Sequence, residues 1–218
     1  MNTGLIWLLL TGIGLICWRL VSQDGRRIMV FAGYSALMEY VSNNDQWKLL
    51  MSGSINHNAE LYHLLTPGLF ASLAYVYIPT VFSNKLRYYL LAVFGFTLIS
   101  VGNTLFWDGY RNFPTISASA YGLGGIGLCL GYLLYLLRSA VLERLELDPL
   151  FVFSAVGLTY FSASVMFLGA VKYTNYSLAF FNSIYELYRV LTAIFTLTAG
   201  VAIFLPGSPR IDEPINPT

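Results

Sequence analysis

Long apolar stretches alternate with short polar segments along almost the whole chain. A helix needs about 20 apolar residues to cross about 30 Å of hydrocarbon, so stretches of this kind predict transmembrane helices. The predicted helices are 4–20, 28–43, 61–82, 88–107, 117–137, 149–171 and 178–204. The pattern therefore predicts an all-α, polytopic membrane protein with seven transmembrane helices in one bundle.

Polar and turn-forming residues define the segments between these helices. Asp24-Gly25 is a turn signal and predicts a loop over 21–27. The segment 44–60 is polar, but Trp47 and the apolar residues that follow it indicate a short amphipathic piece at the membrane interface.

Basic residues indicate how the bundle lies in the membrane, because short cytoplasmic loops carry an excess of Lys and Arg. An N-terminus outside and a C-terminus inside place most of the loop cations on the cytoplasmic side. That side then holds Arg19, Arg26, Arg27, Lys85, Arg87, Arg138, Arg144 and Arg210, against Lys48, Arg111 and Lys172 outside. Repeated prolines predict a disordered cytoplasmic tail, 206–218, after a transmembrane domain, 1–205.

The composition agrees with a bilayer environment and excludes several functions. Only 11% of the 218 residues are charged, whereas a soluble domain carries about 25%. A net charge of +1 gives no basis for a nucleic-acid partner. Cys17 and Cys129 fall inside apolar stretches without metal-ligand spacing, which indicates buried free thiols. No cofactor is expected.

Ionisable side chains are rare in the apolar stretches, and each is a candidate for function because a bilayer disfavours it. They fall in the outer half of the predicted membrane, whereas the inner half is almost wholly apolar. Glu186 and Arg189 are spaced i,i+3 and can pair along one helix face. We therefore predict an outward-facing polar pocket for a small ligand between the second, third, fourth and seventh helices. Its predicted lining is Glu39, Tyr62, His63, Asn103, Glu186 and Arg189.

Two other interpretations compete with a ligand pocket. Polar side chains also hold membrane helices together, at about 0.6 kcal/mol for each hydrogen bond, and such contacts need no ligand. Glu60 and His63 share a helix face and, with Glu39, resemble part of a metal site. A second Glu-x-x-His motif, as in two-metal bundles, is missing, so no metal site is predicted. No residue is assigned a catalytic role.

Small residues repeat along one face of the fifth predicted helix. Gly124, Gly127 and Gly131 have helical spacing, and the last two form a GxxxG motif. Small side chains let two helix backbones approach closely, so these glycines predict close helix packing. The alternative is clearance for a ligand.

Several short motifs resemble an uncharacterised family of small seven-helix bacterial inner-membrane proteins. The most specific is Tyr-His-x-x-Thr-Pro within 61–67, and the others are Asn112-Phe113-Pro114-Thr115, Asp148-Pro149-Leu150-Phe151, Tyr160-Phe161-Ser162 and the acidic Glu39. The resemblance covers most of the chain and implies a multi-pass protein of the bacterial inner membrane, with no activity attached. The chain departs from the family pattern at Leu69, from Ser117 to Tyr121 and at Ala163-Ser164, and the family pattern lacks Glu186 and Arg189.

The polar residues favour a sensory, ligand-binding or accessory bundle that receives a small ligand from the outer side. The cytoplasmic loops are short, so signalling would require a membrane or cytoplasmic partner protein. One alternative is a membrane enzyme acting on a lipid or small amphiphile, with His63 or Glu39 as the acid–base group. Another is a purely structural subunit. The apolar inner half argues against a transporter.

Overall fold

A computed structural model describes residues 3–44, 59–82, 84–110, 112–139, 144–173 and 178–207. Within these ranges the chain forms seven α-helices and one short 3-10 helix, which confirms the all-α class. The α-helices are α1 (Thr3–Ile16), α2 (Gln23–Asn43), α3 (Ala59–Val81), α4 (Lys85–Phe106), α5 (Thr115–Ser139), α6 (Pro149–Tyr173) and α7 (Leu178–Phe204). The predicted interfacial piece at Trp47 and the tail beyond residue 207 lie outside the described residues.

Five of the described helices, α3 to α7, are long and apolar enough to cross a membrane. Helix α1 has 14 residues, which gives about 21 Å at about 1.5 Å per residue, less than the hydrocarbon thickness. Helix α2 has 21 residues but includes the charged Asp24, Arg26, Arg27 and Glu39. Five helices are thus typical of a multi-pass membrane protein, and α1 and α2 differ from them in length or polarity.

Helix α2 lies at the centre of the bundle. It contacts α1, α3, α6 and α7, while α3 contacts α4 and α5 on its other side. Its side chains Ile28, Phe31, Ala32 and Ala36 are part of the main hydrophobic core. Because protein rather than lipid covers most of α2, this helix does not need an apolar surface all round. The central position explains its polar composition.

The junction between α1 and α2 differs from the prediction. Helix α1 ends at Ile16 instead of residue 20, and α2 begins at Gln23, so Asp24-Gly25 lies inside a helix and not in a loop. The Ser22 hydroxyl accepts the Gly25 N–H at 3.2 Å and caps α2, and the charge of Asp24 suits the first turn. A Cβ atom on Gly25 would collide with the Ile203 carbonyl oxygen of α7, so close helix packing requires this glycine.

Arg27, which the sequence places in a cytoplasmic loop, is instead buried in α2. Its guanidinium donates to the Asp24 carboxylate at 2.9 Å and to the Thr80 hydroxyl at 2.8 Å, near the end of α3. The neighbouring Arg26 Nε donates to the carbonyl oxygens of Trp18 and Val21 at 3.2 and 3.0 Å. These bonds join α2 to the segment that follows α1 and to the end of α3.

A second buried network joins α3, α5 and α6. Asp148 caps α6, because its carboxylate accepts the Phe151 N–H at 2.9 Å and the Tyr132 hydroxyl at 2.8 Å. The Tyr77 hydroxyl oxygen lies 3.2 Å from the Cys129 sulfur and accepts a hydrogen bond from the Ser154 hydroxyl at 3.1 Å. Both cysteines are free thiols; Cys129 is buried, and Cys17 is half-buried.

The glycines of α5 do not all pack in the same way. A Cβ atom on Gly124 would lie 2.6 Å from the Phe70 ring of α3, whereas one on Gly127 or Gly131 would meet no described atom within 4 Å. Gly131 lies on nearly the same face as Gly124 but about 10.5 Å further along the helix. Crossing helices approach closely only near the crossing point. The predicted close approach is therefore present at Gly124, and the GxxxG pair faces open space.

Candidate functional site

His63 joins α3, α4 and the segment between α4 and α5. Its Nδ1 atom lies 2.8 Å from the Thr104 hydroxyl, and its Nε2 atom lies 2.8 Å from the Asn112 carbonyl oxygen. The Tyr110 ring stacks on the imidazole at a centroid distance of 6.0 Å. The side chain is buried. His63 is therefore a fixed link between three parts of the chain.

The hydrogen bonds of His63 define its tautomer. A carbonyl oxygen only accepts, so Nε2 carries a proton and donates to Asn112. The Thr104 hydroxyl has one proton and lies 2.8 Å from Nδ1 and 2.9 Å from the Ser100 carbonyl oxygen. In the tautomer with the proton on Nε2, the Nδ1 atom accepts this hydroxyl proton, so both ring nitrogens have a protein partner.

The segment that follows α4 fixes the start of α5 beside the end of α4. The carbonyl oxygen of Asn103 accepts the N–H groups of Trp107 and Asp108 at 3.1 and 3.0 Å. The Asp108 carboxylate in turn accepts the Thr115 hydroxyl at 3.0 Å and the Ile116 N–H at 3.3 Å. A carboxylate at a helix N-terminus is favoured by the free N–H groups and the helix dipole.

On α3, α4 and α5, three residues at this end of the bundle bury polar atoms that have no hydrogen-bond partner among the described residues; Ser42 Oγ, at the end of α2, is a fourth such site. The atoms are Glu60 Oε2, both amide atoms of Asn103, and Ser117 Oγ. Most buried polar atoms in proteins are hydrogen-bonded, and leaving one unsatisfied costs about 1–3 kcal/mol. These atoms are therefore the candidate binding groups of the site.

These three residues lie at matching depths. Glu60 is in the first turn of α3, Ser117 is in the first turn of α5, and Asn103 is in the last turn of α4. The contacts between α3, α4 and α5 hold the three helices side by side, and the His63–Thr104 bond fixes α3 to α4 at this level. We call Glu60, His63, Asn103, Thr104 and Ser117 the end cluster.

The structure distributes the predicted pocket residues over several places. His63 and Asn103 belong to the end cluster and are buried. Tyr62 packs on Phe113 at a centroid distance of 5.3 Å, and its phenol lies within electrostatic range of Glu39. Glu39 and Tyr62 therefore form a neighbouring group between α2 and α3.

Glu186 and Arg189 lie elsewhere. Their side chains form the ion pair that the i,i+3 spacing predicts, with Nη1 and Oε1 2.8 Å apart. Glu186 is 63% exposed and Arg189 is 45% exposed, so the pair faces outward from α7. The structure does not bring these two residues into the buried end cluster with His63.

Sequence reasoning did not single out Thr104 or Ser117. Hydroxyl side chains near helix ends are common, and the sequence carries no signal that distinguishes a buried one from a solvated one. The i,i+3 spacing of Glu60 and His63 did draw attention to Glu60, but only as a possible metal ligand. Among the described residues, no group of three His, Cys, Asp or Glu side chains could hold a metal ion.

Comparisons of the chain with models of protein families, with curated proteins and with solved structures find no match. The resemblance to the seven-helix bacterial family therefore stays a prediction. The functional argument rests on the residues of the chain and their geometry.

Proposed function

We propose that the protein is a small sensory or accessory membrane bundle that binds a small polar ligand at the end cluster. The observation that carries this proposal is the burial of polar atoms of Glu60, Asn103 and Ser117 without a partner among the described residues. A fold selected for stability alone gains nothing from such atoms, whereas a binding site requires them. A ligand that forms hydrogen bonds with these buried atoms would offset the free-energy cost of leaving them without partners.

The atom types define the ligand that would fit. Glu60 Oε2 and Asn103 Oδ1 accept hydrogen bonds, Asn103 Nδ2 donates, and the Ser117 hydroxyl does both. The complementary ligand presents hydroxyl or ammonium donors together with at least one acceptor. Amino acids, amino alcohols and small polyols have this chemistry. His63 acts as a positioning residue, because its bonds hold α3 against α4.

The proposal places the end cluster on the outer side of a bacterial inner membrane. In this topology the N-terminus is outside, the C-terminus is inside, and α1 and α2 complete seven spans. The distribution of basic residues supports this orientation. The buried Arg27 contacts Thr80 near the end of α3, and His63 lies near its beginning, so the basic junction and the end cluster occupy opposite ends of the bundle.

An enzymatic role is less well supported by the geometry. A general base needs a nitrogen that can take a proton from a substrate. Both ring nitrogens of His63 already contact protein atoms at 2.8 Å. We therefore favour binding over catalysis. Signalling would pass to a membrane or cytoplasmic partner protein, since the connecting loops are short.

A thermal-shift screen of the purified full-length protein in nanodiscs tests the proposal. The panel consists of amino acids, amino alcohols and polyols, and the variants are Asn103→Leu, Ser117→Ala and the control Gly127→Ala, whose site faces open space. We expect a compound to raise the Tm of the parent and the control but not of the two cluster variants. A shift that persists in both cluster variants contradicts the proposed site, and a complete panel without any shift contradicts the proposed ligand class.

A further inference from the structure

The junction between α1 and α2 lies at the level where two membrane-spanning helices end. Gly25, in the first turn of α2, lies against the Ile203 carbonyl oxygen, one residue before the apolar stretch of α7 ends. Arg27 donates to Thr80, one residue before the apolar stretch of α3 ends. The hydrocarbon core meets the lipid headgroups where such stretches end. Arg26, which lies between Gly25 and Arg27, is therefore at the level of the headgroups.

Contacts at the junction hold the Arg26 side chain in one orientation. Its Nε atom donates to the Trp18 and Val21 carbonyl oxygens at 3.2 and 3.0 Å, and its guanidinium lies 5.0 Å from the centroid of the Trp18 ring. A guanidinium has five N–H groups, and these bonds use only the one on Nε. The four N–H groups on Nη1 and Nη2 have no hydrogen-bond partner among the described residues. They form the pair of parallel donors that binds a phosphate through two oxygens.

The surroundings of Arg26 combine positive charge with apolar surface. Arg19 is exposed and, like Arg26, forms no ion pair with a described acidic residue. The neighbouring Asp24 is already part of a buried ion pair within α2. Beside these cations, Ile16 is 87% and Leu20 is 85% exposed. The junction thus presents two cations together with aliphatic side chains at the edge of the hydrocarbon.

We propose that the α1–α2 junction binds the headgroup of an anionic phospholipid from the surrounding bilayer. Arg26 donates from Nη1 and Nη2 to two oxygens of the lipid phosphate, and Arg19 adds a second positive charge. The Trp18 ring supports the guanidinium by a cation–π contact, in a position typical of tryptophan at a membrane interface. The acyl chains lie along Ile16 and Leu20. We call Trp18, Arg19 and Arg26 the junction site.

Charge and apolar surface together select this occupant over others. A basic residue near an anionic lipid surface contributes about 1 kcal/mol to binding. A zwitterionic lipid would bring its own ammonium group close to two arginines, which repel it. A free phosphate ion has no acyl chains and gains nothing from the exposed aliphatic residues. The junction site lies at the opposite end of the bundle from the end cluster, so this inference does not depend on the proposed ligand.

Native mass spectrometry of the purified full-length protein measures lipid binding with a matched control. Phosphatidylglycerol and phosphatidylcholine with the same acyl chains are titrated in neutral detergent against the parent, Arg26→Gln and the control Arg87→Gln. Arg87 is an exposed cation near the same end of the bundle, at the start of α4, so both variants lose one charge. We expect the parent and the control to bind phosphatidylglycerol at least about tenfold more tightly than phosphatidylcholine, and Arg26→Gln to bind the two lipids within about threefold. Equal binding of both lipids by the parent, or an equal loss in Arg87→Gln, refutes the proposal.

Two further comparisons separate the junction site from general charge attraction. Arg26→Lys keeps the charge but lacks the paired donors, so we expect it to lose at least about threefold in affinity for phosphatidylglycerol. If Arg26→Lys binds this lipid as the parent does, the two-oxygen contact is wrong. Inorganic phosphate in large excess should not displace the lipid, and displacement would show a site for a free anion instead. The ratio of the two lipid affinities is measured within each variant, so a partial loss of folded protein does not change it.

Discussion

Replacing Asn103 by leucine should make the ligand-free protein more stable. The Asn103 side chain is fully buried, and both its amide atoms lack partners among the described residues. An unsatisfied buried polar group costs about 1–3 kcal/mol, and an apolar side chain of similar size removes that cost. We therefore expect Asn103→Leu to raise the free energy of unfolding by about 1–3 kcal/mol and to abolish ligand binding.

The neighbouring Thr104→Val provides the matched control. Valine has nearly the shape of threonine but cannot bond to His63 Nδ1, which the Thr104 hydroxyl contacts at 2.8 Å. We expect this variant to lower the free energy of unfolding by about 1–3 kcal/mol, because it leaves a buried imidazole nitrogen without a partner. Two adjacent positions on α4 should thus shift stability in opposite directions.

Unfolding in mixed micelles, followed by tryptophan fluorescence during titration with a denaturing detergent, measures both effects. The parent, Asn103→Leu and Thr104→Val are compared without ligand in the same lipid–detergent mixture. If Asn103→Leu destabilises the protein as much as Thr104→Val does, then the Asn103 amide is satisfied in the native state. That result would remove the basis for a binding site at the end cluster.

Three further outcomes follow from the packing. Asp148→Ala should lower the free energy of unfolding by about 2 kcal/mol, because the cap of α6 and the buried hydrogen bond from Tyr132 are lost together. Asp148→Asn should cause a smaller loss, because the asparagine oxygen can still accept one of these bonds. Gly124→Ala should destabilise the fold by about 1–3 kcal/mol through its clash with a buried ring, whereas Gly127→Ala should be neutral or stabilise by up to about 1 kcal/mol, as chemical denaturation would show. A maleimide should label half-buried Cys17 faster than buried Cys129, as mass spectrometry can follow.

Each of these outcomes has a result that contradicts it. Equal stability of the parent and Asp148→Ala would show that the α6 cap contributes nothing. Equal effects of Gly124→Ala and Gly127→Ala would mean that the close approach to Phe70 is absent in the membrane. Faster labelling of Cys129 would require that α3, α5 and α6 open readily around it.

The apolar pattern predicted α3 to α7 closely because lipid contact requires long apolar helices. Predicted and observed bounds of α6, for example, are 149–171 and Pro149–Tyr173. The α1–α2 junction was mispredicted because Asp24-Gly25 resembles a turn. Its helical state depends on the Ser22 cap and on a close contact with Ile203, which is distant in sequence. Tertiary packing outweighs a local turn preference there.

The candidate site was predictable only in part. His63 and Asn103 were visible because polar residues are unusual in apolar stretches. The spacing of Glu186 and Arg189 correctly predicted their ion pair. The direction in which that pair faces was not predictable, since α7 is apolar on the faces toward the core and toward lipid alike. Burial of Ser117 depends on three helix ends that meet, and that information is not local in the sequence.

The central position of α2 has a consequence for how the protein enters the membrane. A polar helix such as α2 does not partition into lipid by itself. We expect the helices α3 to α7 to insert independently and α2 to become stably embedded only when α3, α6 and α7 surround it. Helix α2 would then reach its final depth only after helices that are synthesised later than itself.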